Sequence, residues 1–263
     1  MPDEVLDTLN VGADPTELID NLIEAGVIPS PDGTLAEILE GWKPLLRPGT
    51  TAMEAEVWGA DFLGLLADSM PDVDDLPAAL VDLVNEAELV GSREALAMTR
   101  ALAVATPEPL CSAASAVANR LVAAGVADPP WVAGLGRPEV GACFGQGNDA
   151  AGGQQSLAMT FRYGSKEHAL AVLIDHEAGG GIRDCFFAER PDRVRTGFHQ
   201  AAHKWGVEFN DYSPEEAHEI LTRALSVPPC PAGPDQFKNV RNYLDLVRSR
   251  AAVLSEHIAN QAN

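Results

Sequence analysis

Between Gln155 and Phe187 the spacing of apolar and polar residues commits strongly to strands, and most of the remaining chain reads as helix. Leu157, Met159, Phe161 and Tyr163 alternate with Ala158, Thr160 and Arg162, the two-residue period of a strand with one buried face. Gly164-Ser165-Lys166-Glu167 supplies a short polar connection. The run His168–His176 then places Leu170, Val172 and Ile174 on one face and Ala169, Ala171 and Leu173 on the other. A strand that is apolar on both faces belongs in the interior of its sheet. After Asp175-His176-Glu177, the glycines 179–181 turn the chain and Ile182–Phe187 returns as a further strand. These connections are too short for helical crossovers, so the pattern predicts an antiparallel meander. Val140, Ala142 and Phe144 predict one more short strand ahead of it, and GQGNDAAGGQQ at 145–155, with no large apolar residue, reads as a loop entering the meander.

Upstream, capping signals punctuate helical faces. Asp14-Pro15-Thr16-Glu17 opens a helix carrying Leu18, Ile19, Leu22 and Ile23, with Gly26 as its stop. Thr34 with Glu37, and Thr51 with Glu54, repeat the capping-box spacing ahead of Leu35, Ile38, Leu39 and Trp42, and of Val57, Phe62, Leu65 and Leu66. Pro44 is the expected stop of the earlier helix. Asp75 and Ser92 cap two more helices, and another ends near Gly125. Met53, Met70 and Met98 fit as core filler. Asp128-Pro129-Pro130-Trp131 and Gly134-Leu135-Gly136-Arg137-Pro138 make a stiff segment, where we place a domain boundary. Beyond the meander, helices are expected from Thr196, from the box Ser213-Pro214-Glu215-Glu216, and from about 235. The expectation is an α+β protein: an acidic all-helical domain over 1–130, then an antiparallel-sheet domain flanked by helices over 131–263.

Charge sharpens this division. Of the net −21, residues 1–130 account for −18, with 5 Lys and Arg against 23 Asp and Glu. Such a field repels phosphate backbones and anionic membranes, so direct nucleic-acid or membrane binding is not expected, whereas a protein partner with a basic surface suits it. No apolar run approaches a bilayer span, and the acidic start MPDEVLDTLN does not read as a secretory signal, so a cytoplasmic protein is expected. Cys111, Cys143, Cys185 and Cys230 stand far apart without a CxxC pair, as reduced and mostly buried thiols do.

The order PPW, GRP, SLAMTFRYG and HALAVLIDHEAGGGIRDCFF resembles a group of bacterial proteins that share a strand ending in Asp-His, a glycine cluster and a following Asp. The resemblance covers about residues 128–190 and implies no particular activity, so it transfers no catalytic residue.

Candidate chemistry is thin. His199 and His203 stand four apart on one helix face, and Asp175, His176 and Glu177 lie at a strand end, which is the donor set of a divalent-metal site for zinc or manganese. Such a site would make a metal-dependent hydrolase or lyase with a bound water as nucleophile. Gly179, Gly180 and Gly181, with Arg183, Arg190 and Arg193 nearby in sequence, are an alternative anion-binding cluster. There is no GxSxG elbow, no HExxH, and no nucleotide-binding glycine motif in its proper context. Phe237, Val240, Leu244, Val247, Ala251, Leu254 and Ile258 make a heptad-like seam on the last helix, suited to packing within the chain or to homo-oligomer formation. The leading expectation is a non-enzymatic interaction or regulatory protein without a cofactor, using the acidic helices or this seam, with the metal enzyme as its rival.

Overall fold

A computed structural model describes residues 31–69, 76–147 and 153–261, and the fold is α+β. The helix expected over Asp14–Gly26, the cap at Asp75, Met70 and the centre of the 145–155 loop lie outside those residues.

The first described helices are α1 (Pro31–Glu40), α2 (Ala52–Ser69), α3 (Leu76–Val90), α4 (Arg93–Ala105) and α5 (Leu110–Ala123). Local signals explain their limits. At the start of α2 the Thr51 amide donates to Glu54 Oε2 at 2.7 Å and the Glu54 amide returns a bond to Thr51 Oγ1 at 3.2 Å. Ser92 Oγ accepts from the Ala95 amide ahead of α4. Gly125, at φ +98°, ends α5, and the Val126 amide donates back to Leu121 O. The expectation at Thr34 needs correction: α1 is already helical at Pro31, a residue suited to a first turn. That helix stops at Glu40, short of Pro44, and lets Trp42 turn into the core. Trp42, Leu96, Met98, Leu102, Leu110 and Val117 share one hydrophobic cluster. Trp131, in a 3-10 turn over Pro130–Gly134, joins the same cluster and donates its indole N–H to Leu45 O at 2.8 Å. The proline-rich junction is thereby fixed to the helical core.

The strands are β1 (Glu139–Gln146), β2 (Gln154–Tyr163), β3 (Lys166–Asp175) and β4 (Gly181–Ala188), followed by α6 (Pro191–Trp205), β5 (Phe209–Tyr212), α7 (Pro214–Leu225) and α8 (Pro234–Gln261). Every pairing is antiparallel, in the order β4-β3-β2-β1-β5. The meander is the expected one, with β3 inside the sheet. Three details differ. β1 and β2 extend into the 145–155 segment from either side, β5 adds an edge strand that the pattern does not announce, and α6 starts at Pro191. Thr196 sits inside α6, where its hydroxyl donates to Asp192 O, so it is not a cap.

Leu157, Met159, Phe161, Leu170, Val172 and Ile174 face a core closed by α7 and α8. The opposite face is small, Ala158 and Ala171 beside Phe144, and α6 lays Val194 and Phe198 against it. Helix α8 packs on β4 and α7 and also on α2, so it lies between the sheet and the helical half. Val240, Val247 and Leu254 are buried there, with Leu244 and Ala251 half-buried against the same core. Of the two uses expected of the seam, the one seen is therefore packing within the chain, against the sheet. No helix among the described residues is long and apolar enough to cross a membrane.

One polar cluster crosses between the two cores. Glu56 on α2 and Arg250 on α8 form an ion pair with each side chain 1% exposed. Glu56 also accepts from the Gly136 amide at 2.7 Å and from the Tyr163 hydroxyl. The Arg250 guanidinium lies 5.3 Å from the Phe161 ring centre. Removing one partner strands a charge away from water, whereas removing both does not. Arg250→Met or Glu56→Leu alone should lower the unfolding free energy by about 3–5 kcal/mol. The double variant should lose less than either single one, as measured by urea denaturation. Simple addition of the two losses would show that the residues are not coupled.

Candidate functional site

The residues singled out for metal or anion chemistry occupy separate places. Asp175 closes β3 and is buried. Its carboxylate accepts from the Ala178 amide at 2.9 Å and pairs with Arg183. The Arg183 guanidinium, helped by that amide, holds the Asp175 carboxyl below its ordinary range. His176 is exposed, its Nε2 lying 3.2 Å from Gln155 Oε1. Glu177 is exposed beside it. His199 lies on α6, its ring stacked 3.7 Å from the centre of Phe209, and His203 is exposed a turn later. Among the described residues no three His, Cys, Asp or Glu side chains gather as a metal ion requires. Asp175, His176, Glu177, His199 and His203 are thus not brought together as a ligand set.

The glycine turn gathers only part of the expected anion cluster. Gly179 (φ +96°) and Gly180 (φ +87°) adopt the left-handed conformation that only glycine takes without strain. With His176, Gln155 and Arg223 they line a hollow of about 230 Å³. The Gly179 and Gly180 amides are already bonded to His176 O and Asp175 O, which leaves neither to cradle an anion. Gly181 packs against Pro228 O instead. Arg183 is held by Asp175, while Arg190 and Arg193 stand at the start of α6, outside the lining of that hollow. Burial pushes the Cys185 thiol up to about 12 and the Cys143 thiol up to about 11, so neither is a ready nucleophile.

A larger concavity lies elsewhere, on the helical face. Ile38 and Glu37 of α1, Trp42, Trp58, Asp61, Phe62, Leu65 and Leu66 along α2, and Lys238 and Asn242 of α8 enclose a groove of about 610 Å³. Trp42 meets Phe62 edge-on with ring centres 5.0 Å apart, which stiffens one wall. Trp58 and Leu65 are 40% and 62% exposed, so the trough is open and apolar. At its floor α2 and α8 approach closely: a Cβ at Gly64 would lie 2.0 Å from Asn242 Oδ1, so only glycine leaves the notch that this amide fills. Asn242 is 7% exposed and its Oδ1 has no hydrogen-bond partner. The acids on the lining, Glu37 and Asp61, frame the opening, and Asp61 accepts from the Tyr243 hydroxyl at 2.8 Å.

A signal for this groove exists in the sequence. Trp58 and Leu65, seven apart on α2, are large apolar residues beyond Ala52, Ala55 and Leu63, which enter the core, while Phe62 packs against that core between them. Comparisons with protein families, curated proteins and solved structures find no match.

His168, which sequence reasoning leaves without a role, is fully buried. Its ring lies among those of Phe161, Tyr163 and Phe187 at 5.9, 6.0 and 5.4 Å, and neither nitrogen has a hydrogen-bond partner. Burial, then the Arg250 charge, pushes its pKa down to about 3. The unfolded chain takes up a proton near pH 6.5 and the folded chain does not, so this group's contribution is complete above that pH and is lost as pH falls toward 3. Wild type should therefore lose up to about 1.4 kcal/mol per pH unit below 6.5 relative to His168→Phe. Urea midpoints of both proteins at pH 7, 6 and 5 check this, because carboxylates common to the two cancel. A constant gap between them would mean that His168 is not held neutral.

Proposed function

We propose that this chain is a non-enzymatic protein-interaction or regulatory protein, and that its acidic all-helical N-terminal domain, to about residue 130, carries most of the contact surface. The observation behind this reading is the groove between α1, α2 and α8, where Trp58 and Leu65 stand open beside Phe62 and Leu66. Contiguous exposed apolar surface rimmed by polar groups is the mark of a recognition site. A trough walled by helices suits a partner's helix, which can lay its apolar side chains along the line of Trp58, Phe62 and Leu65. α8 takes part as a wall, through Lys238 and Asn242, rather than as a heptad seam.

Selection of displayed helical peptides on the immobilised full-length protein tests the reading and does not require that the partner be identified first. Enriched peptides should bind Leu65→Gln and Trp58→Ser at least about tenfold more weakly than wild type, since anchor contacts at an interface commonly exceed 1 kcal/mol. Peptides that bind wild type and both variants alike, or no enrichment at all, would set this function aside.

A further inference from the structure

We infer that the occupant of the groove is an amphipathic helix of a partner protein whose apolar stripe is flanked by Lys and Arg, an inference that rests on the interaction reading above and adds the partner's chemistry. The geometry supplies the stripe. Trp58, Phe62 and Leu65 are spaced four and three along α2, a line of about 10 Å that matches the i, i+3/i+4, i+7 anchors of an incoming helix.

Charge supplies the flanks. Glu37 and Asp61 line the opening, and Lys238, also on the lining, already has a partner. Residues 1–130, which supply α1 and α2, carry a net charge of −18. A second copy would bring the same acids face to face, and an acidic peptide would meet the same repulsion. A cationic helix is drawn in.

The test uses the full chain and two synthetic peptides of about 15 residues, long enough for four helical turns. Both carry the same leucine stripe, flanked by Lys in one and by Glu in the other, and binding is followed by fluorescence anisotropy. The Lys peptide should bind at least about tenfold more tightly than the Glu peptide, with the gap shrinking as salt screens the field. Leu65→Gln, which leaves the charge unchanged, should weaken the Lys peptide about tenfold. Glu37→Gln should weaken it less and should reduce the salt dependence. Equal affinity of the Lys peptide for wild type and Leu65→Gln would mean diffuse charge attraction, which overturns the inference. If the displayed selection enriches groove-dependent peptides with neutral or acidic flanks, the interaction reading stands and the basic partner falls. Leu65-dependent self-association in sedimentation, or uptake of a neutral aliphatic probe with no binding of either peptide, would assign the groove to a second copy or a small ligand and also overturn it.

Discussion

The fold turns on one buried carboxylate. Glu56 belongs to α2, yet its oxygens are satisfied by Arg250 of α8, by Tyr163 at the end of β2 and by the amide of Gly136 in the junction. Three otherwise separate parts of the chain must therefore be in place before that charge can leave water, because a carboxylate buried without these donors is strongly disfavoured. A hydrophobic contact in the same place would tolerate sliding. A charge with three donors at fixed positions does not, and it sets how the helical half meets the sheet.

The position of α8 follows. Its buried Val240, Val247 and Leu254 belong to the sheet core, while Arg250 reaches Glu56 and Asn242 fills the notch at Gly64 on α2. One helix thus serves two cores and holds α2 at a fixed distance. Phe62 and Leu66 of α2 pack against the helical core while Trp58 and Leu65 stay exposed, and with α8 as a wall they line the groove, which therefore follows from the same packing that buries the ion pair.

How much of this was readable from the sequence depended on range. Strands with a clean two-residue period, such as Leu157–Tyr163, and caps such as Thr51/Glu54 are decided by neighbours in sequence, and the structure has them where the pattern puts them. β5 escaped because Phe209–Tyr212 is four residues with little alternation, and it is a strand only because β1 offers it an edge. The start of α6 was misplaced because Thr196 imitates a cap while Pro191 opens the helix. Arg250 looks like a surface residue until Glu56, 194 positions away, is placed beside it. His168 shares the inward parity of Leu170 and Val172, so its face was legible, although its lack of any partner was not. The Asp175, His176 and Glu177 corner had the right residue types for a metal. Residue type says nothing of whether α6 brings His199 and His203 over it, and the packing of His199 on Phe209 puts that ring to another use.

An open trough with exposed tryptophan and leucine side chains invites self-association, and the charge of the helical half acts against it. Copies approaching through this face bring like charges together at the moment their apolar surfaces begin to touch. The penalty is long-ranged and screened by salt, whereas the apolar gain is short-ranged and is not. On the proposed reading, acidity and the groove work as a pair: the first keeps identical surfaces apart and lowers the barrier for a cationic one, and the second holds what arrives. Neither property alone discriminates between partners, since an acidic surface attracts any cation and an apolar trough accepts any grease. Specificity in such an arrangement comes from the requirement that both be met along one helix-length line.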